Sequence, residues 1–258
     1  GLIGSLMVGV AAAKAVAWAR DLPLVGVDHI EAHVVSAKAD HPSLEPPFVA
    51  LVASGGHTSL YACRGPDRLD VLGRTIDDAA GECFDKVAVL LDLPQPGGPS
   101  VSRLATEGDP AAIPFPRYRP KDGSLNFSFS GLKTAVLYYL KGPGQRRDAP
   151  DRPDLEKSHA DVAASFERAV VDALVARTLE AAAREEVASI VVGGGVAANR
   201  ELRRLLRERA PQGVRALFPT PALCADNGAM VALRGIELLA AGQSDALDLD
   251  VVATGKAG

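Results

Sequence analysis

The chain is poor in cysteine, and the cysteines it has are badly placed for cross-linking. Cys63, Cys83 and Cys224 are odd in number, far apart and without a C-x-x-C pair, which argues against a disulfide framework and a cysteine-type zinc site. Long apolar runs are lacking too. Gly, Lys or Arg interrupts each one before the roughly 20 residues a membrane span needs, and no basic-apolar-small leader opens the chain. The expectation is a soluble, cytoplasmic protein with no membrane partner. Nor is there a global excess of positive charge: the formal net charge is −4, which gives no overall sign of a nucleic-acid partner.

What is present is a globular composition. With 258 residues, 47% hydrophobic and 23% charged, the chain can bury a core as one large domain or two smaller ones. It opens on Gly1 rather than Met, with an apparent loop-to-helix entry, so an N-terminal piece is expected to be missing. Gly1 to Arg20 reads as a loop and an Ala-rich helix, and Pro23 breaks it. Leu24 to Val27 reads as a short buried strand, and Asp28 as the N-cap of a helix carrying His29 and His33. Two histidines four apart stack on one helix face, from which they can share a metal ion. Solvated or core histidines are the alternative. Glu31 does not make this a peptidase: H-E-x-x-H is absent, and a residue at i+2 points about 200° away from His29.

His41 to Pro47 is a proline-rich linker. Phe48 to Ala53, Ser59 to Cys63 and Leu69 to Thr75 then read as an antiparallel meander, followed by an amphipathic helix over Asp77 to Leu91. Small residues at Ser54-Gly55-Gly56 let a backbone approach a ligand and aim N–H groups at an anion, although a hairpin turn explains them equally well. Asp85 could bind a hydroxyl or amine. Pro96-Gly97-Gly98-Pro99 reads as a rigid loop. From Phe115 to Arg152 eight Lys/Arg stand against three Asp, a basic segment that is either a solvated loop region or an RNA contact. Ser158 and Asp161 resemble a capping box opening a long core helix. Ala188 to Val192 reads as a buried strand ending in Gly193-Gly194-Gly195, with a helix from Arg200. Such a strand, turn and helix can cradle a nucleotide, Asn199 supplying a donor and an acceptor. No lysine follows the glycines, so the turn lacks the P-loop pattern. Val214 to Phe218 reads as a further strand, and Asp226 falls at a loop-helix junction.

Taken together, Gly1 to Leu6, His29-Ile30-Glu31-Ala32-His33, Val52 to Thr58, Asp77 to Lys86, Pro96 to Pro99, Phe127 to Lys133, Gly194 to Arg200 and Asp226 to Met230 resemble the TsaD family, which makes threonylcarbamoyladenosine in tRNA. The resemblance implies an α/β fold of the actin/hexokinase/Hsp70 (ASKHA) type in two subdomains, the first incomplete. It divides the chain at 1–47, 48–225 and 226–258. It puts a divalent metal, iron or zinc, on His29, His33 and Asp226, and nucleotide or substrate contacts on Val52, Ala53, Ser54, Gly55, Gly56, Asp85, Gly98 and Asn199. The implied reaction moves a threonylcarbamoyl group from threonylcarbamoyl-AMP to N6 of adenosine 37, in tRNAs that read codons starting with A. The partners implied are tRNA and TsaB-like and TsaE-like helper proteins. The family usually begins with a strand pair not found here, which puts the activity of this chain alone in question. Two other readings compete: a related carbamoyltransferase acting on a small molecule or a protein, and a non-catalytic scaffold.

Overall fold

The computed structural model describes residues 3–65, 68–153 and 155–252. α1 (Ile3–Arg20) is an unbroken helix that includes Gly4 and Gly9, where a turn was expected, and Ala17 is the only buried residue on it. Gly1 and Leu2 of that expected turn lie outside the described residues. By length and composition α1 is also apolar enough to cross a membrane, contrary to the reading of interrupted runs. Two glycines and a single Lys14 interrupt the composition without breaking the helix. Leu24–Val27 forms no strand; Leu24 makes an isolated bridge to Asp245. A short apolar segment after a proline has the same pattern whether it is paired or merely extended.

α2 (His29–Val35) starts where Asp28 was expected to cap it, Asp28 Oδ1 accepting from Ile30 N at 2.8 Å and Glu31 N at 3.1 Å. The meander follows as expected: β1 (Phe48–Ala53), β2 (Thr58–Gly65) and β3 (Arg68–Arg74) pair antiparallel. α3 (Ala80–Leu90), α4 (Gly97–Ala105), α5 (Ser130–Lys141) and α6 (His159–Arg184) lead to β4 (Ser189–Gly193). α7 (Arg200–Arg209), β5 (Arg215–Leu217), α8 (Pro221–Cys224) and α9 (Gly228–Ala240) complete the strands and α-helices among the described residues. The sheet order is β3-β2-β1-β4-β5, with β4 parallel to β1 and β5 parallel to β4.

β1 is the central strand, and all six of its residues are buried, which is why its sequence is a continuous apolar run. Val49, Leu51 and Ala53 face a large core shared with α3 to α7, while Phe48, Ala50 and Val52 face a smaller one shared with Val34, Ala37 and Leu44. The sheet thus has helices on both faces, with α2 on the smaller side.

Two helix starts differ from expectation. α3 begins at Ala80 rather than Asp77, because Thr58 Oγ1 accepts from Ala80 N at 2.9 Å and Asp77 accepts instead from Phe129 N and Ser130 N at the start of α5. Pro96–Pro99 is not a free loop. It enters α4, where Pro99 is tolerated because first-turn N–H groups lack intrahelical partners.

On the larger face, Phe166 of α6 meets Phe84 of α3 edge to face, centroids 5.2 Å apart, and Phe166 is fully buried. Phe166→Ala should cost about 3–5 kcal/mol, read as a drop in the urea midpoint at unchanged slope.

Candidate metal centre and glycine-lined rim

The loop before α9 brings Asp226 to α2. Asp40 Oδ2 accepts from Thr220 N at 2.6 Å, His41 Nε2 lies 3.3 Å from Phe218 O, and Arg203 donates to Pro219 O at 2.7 Å. On the far side, Asn227 caps α9, its Oδ1 accepting from Met230 N at 2.9 Å. α9 is clamped to α2 by Arg234, whose Nη2 lies 2.8 Å and whose Nε lies 2.9 Å from Glu31 Oε2. Lys38 adds a second tie to α9 through Glu237 at 2.5 Å. Glu31 therefore does point away from the histidines, and it acts as the anchor that sets α9 against them. Sequence reasoning missed Arg234, which is buried in the structure; a lone arginine in the otherwise apolar Gly228 to Ile236 run was the available signal.

Between these anchors Asp226 Oδ1 stands 3.1 Å from His33 Nε2 and 3.4 Å from His29 Nε2. The three ligand atoms lie within 4.8 Å of one another. Ligands held about 2.0–2.1 Å from a tetrahedral zinc-sized ion stand about 3.3 Å apart, so the donor set and its spacing fit a divalent metal. The His33 side chain is 1% exposed and the Asp226 side chain 74% exposed, so the cluster is closed on one side and open on the other. The Nδ1 of His33 is buried without a partner among the described residues, and its polar outlet is the Nε2 that faces the carboxylate. Burial, reinforced by the charge of His29, lowers the His33 pKa despite the opposing pull of Asp226. The neutral, ligand-competent imidazole is thereby favoured.

The glycine-rich turns lie at the adjoining strand ends. Ser54 to His57 closes the β1–β2 hairpin through Ser54 N to His57 O at 2.8 Å. Ser54 O in turn accepts from Gly81 N at 3.1 Å, binding the turn to the start of α3. At the end of β4, a Cβ on Gly193 would sit 2.4 Å from His33 O, and one on Gly194 (φ 86°) 2.4 Å from Ala53 O. Only glycine permits this approach of β4 to both α2 and β1. Gly55, Gly56, Gly98 and Gly195 face open space instead. His57, which sequence reasoning left as a turn residue, is half-buried, and burial followed by the charge of His29 lowers its pKa.

Other expected contacts prove to be helix caps. Asp85 Oδ1 accepts from Gly97 N at 2.7 Å and so starts α4, leaving Oδ2 without a hydrogen-bond partner among the described residues. Asn199 Oδ1 accepts from Leu202 N at 2.8 Å to start α7, and its Nδ2 donates to Glu167 at 2.7 Å and Ser102 at 3.1 Å. Val52 and Ala53 are buried within β1, so a ligand can meet them only through backbone at the strand end. All three cysteines are free and buried, and burial pushes the Cys83 thiol up to about 12.

A twisted sheet of order 3-2-1-4-5, carrying glycine turns at the ends of its parallel strands, is the architecture of an ASKHA-type α/β protein. The crystal structure of T. kodakarensis HypF shares this fold, with a TM-score of 0.66 at 17% identity over 88% of this chain and 38% of that one. The sequence is more specific: residues 1–233 match the TsaD family, tRNA N6-adenosine threonylcarbamoyltransferase, and the chain belongs to that family. The protein of that name from Geobacter metallireducens is 53% identical over 98% of this chain and 72% of its own length. Its counterpart from Symbiobacterium thermophilum is 48% identical over the same shares.

Since burial holds the native His33 and His57 pKa values below 6.5, their contribution to stability is complete above pH 6.5. It is lost as pH falls from 6.5 through the depressed native values. Metal-free protein should therefore lose stability over that window in urea melts, and His33→Asn should flatten the profile.

Proposed function

We propose that the chain transfers the threonylcarbamoyl group of threonylcarbamoyl-AMP to N6 of adenosine 37 in tRNAs that read codons starting with A. The single observation that carries this reading is the whole-chain likeness to the threonylcarbamoyltransferases. The fusion of a metal-capable triad to glycine-lined strand ends through the Gly193–His33 approach supports it.

His29, His33 and Asp226 would hold one divalent ion, iron or zinc. When bound, such an ion supplies Lewis acidity toward a carbonyl or phosphate oxygen. The adenine amine is a weak nucleophile, so the chain's own contribution is orientation and charge stabilisation. The N–H groups of Gly55 and Gly56 have no backbone acceptor among the described residues, and no side chain at either position would obstruct a ligand, so they are suited to the phosphate of the departing AMP. Asp85 Oδ2 is free for a hydroxyl or amine of the ligand, and Gly98 lies beside it in the α4 helix that Asp85 caps. Asn199 caps α7 just after the turn that follows β4, and Gly195 in that turn offers backbone with open space where a side chain would stand. The His33 imidazole, kept neutral by burial, is in the state that binds a metal.

The same reading assigns 1–47 and 226–258 to one subdomain, joined by the Glu31–Arg234 clamp, and 48–225 to a second. It also implies a cytoplasmic setting and TsaB-like and TsaE-like helpers.

Incubation with tRNA, threonylcarbamoyl-AMP and such helpers should yield modified adenosine by mass spectrometry of nucleosides. Absence of product in the complete mixture would refute the transferase reading. Purified wild type should carry about one equivalent of metal and His33→Ala close to none. A metal-free wild type that cannot be loaded would favour a scaffold.

A further inference from the structure

The basic segment from Phe115 to Arg152 was the sequence-level candidate for RNA contact, but much of its charge is spent inside the protein. Arg117 pairs with Asp172 at 2.8 Å, Lys133 with Asp78 at 3.2 Å and Lys141 with Asp151 at 2.7 Å. A different element concentrates positive charge on one surface. α7 reads Arg-Glu-Leu-Arg-Arg-Leu-Leu-Arg-Glu-Arg from Arg200 to Arg209, with five arginines against two glutamates. Its leucines Leu202, Leu205 and Leu206 are buried. Arg200, Arg203, Arg204 and Arg207 therefore form an i, i+3, i+4, i+7 ridge on the other side. With Glu208 they line an open groove.

The four arginines are not equivalent. Arg204 is neutralised by Glu201 at 2.7 Å and Glu208 at 2.6 Å. Arg203 donates to Ala197 O at 2.6 Å and to Pro219 O at 2.7 Å, and so holds the turn and loop on either side of the site. Arg200 and Arg207 are exposed and have no carboxylate partner among the described residues. Arg207 nevertheless has a fixed seat, its guanidinium 5.0 Å from the centroid of the buried Phe218 ring, which Arg203 also covers. A stacked guanidinium keeps its in-plane N–H donors for an anion while losing little entropy on binding it. Arg103 on α4 is a third exposed arginine without a carboxylate partner among the described residues, and it adjoins Ser102, which contacts Asn199.

We propose that the ridge led by Arg200 and Arg207 is a contact for the sugar-phosphate backbone of the RNA substrate. The inference rests on the tRNA-modifying reading above and locates its partner. Arg200 directly follows Asn199, the residue that closes the glycine turn, so the ridge starts at the rim of the site. From there it runs about 10 Å outward along α7. A track that begins at the reaction rim and leads away from it is where the backbone flanking a bound nucleotide would lie. Its charge is local, within a chain of net charge −4, so it favours RNA at this surface and not generally.

The test is equilibrium binding of the full chain to unmodified tRNA over a range of salt concentrations, comparing wild type with Arg200→Glu/Arg207→Glu. The double variant should bind about tenfold or more weakly near 0.1 M salt. Its plot of log affinity against log salt should be shallower by about 1.4–1.8, the value for two lost phosphate contacts. Its binding of adenine nucleotide should be unchanged. Should the reversal impair folding by circular dichroism, Arg200→Gln/Arg207→Gln replaces it, with the same fall in slope expected. If wild type binds tRNA and the variants match it in affinity and slope, the ridge proposal is overturned while the transferase reading stands. If Arg119→Glu/Lys121→Glu alone weakens binding, the contact lies on the other segment and the ridge proposal is equally overturned. If wild type binds no tRNA, the ridge proposal is overturned, while the transferase reading stands or falls on the nucleoside assay in the complete mixture.

Discussion

The closest approach in the site is between two pieces of backbone. The end of β4 lies against the last turn of α2 so tightly that a Cβ on Gly193 would reach 2.4 Å from the His33 carbonyl. Gly194 meets the Ala53 carbonyl at the end of β1 in the same way. These two positions fuse the histidine helix to the ends of the two central strands, and any side chain there would push them apart. The metal-capable cluster and the glycine turns are thus parts of one rigid junction. The larger core under α3 to α7 supports it from the opposite face of the sheet.

The strands and helices were largely legible because their signals are local. β1 reads as an unbroken apolar run because it is covered on both faces, and Asp28 and Ser158 cap the helices their sequences announce. The pairing of His29 and His33 follows from helical spacing alone. The approach of Asp226 does not, since almost two hundred residues separate it from His33 and the contact depends on a loop held by Asp40, His41 and Arg203. Only likeness to a family could place it beforehand. Leu24–Val27 failed as a strand for a related reason: pairing depends on what lies alongside, and a single segment does not encode its neighbour.

Polar residues were harder to read than apolar ones, because one side chain serves equally well as a helix cap or a ligand contact. Asp77, Asp85 and Asn199 all carry groups suited to substrate, and each is used at least in part to start a helix. Asp77 sits two residues before the cap position of α3 yet serves α5, a choice invisible to local pattern. Glu31 shows the converse. It was set aside as facing away from the metal, and that same orientation lets it fix Arg234 and with it the helix that follows Asp226.

What separates scaffold from site is which polar capacity the fold leaves unspent. Ser54 uses its N–H, carbonyl and hydroxyl within the turn and against α3, while the N–H groups of Gly55 and Gly56 beside it have no backbone acceptor among the described residues. Asp85 uses one carboxylate oxygen and keeps the other. Asp226 is largely exposed, though both histidines converge on it. An unpaired polar group costs little in water and a great deal when buried, so a fold can leave such groups only where solvent or a ligand reaches them. Here they border the side of the junction that is not packed against protein. The same logic distinguishes Arg207 from Arg204 on α7: both are exposed, but Arg204 is neutralised by two glutamates, whereas Arg207 is held in place by an aromatic ring that leaves its charge available.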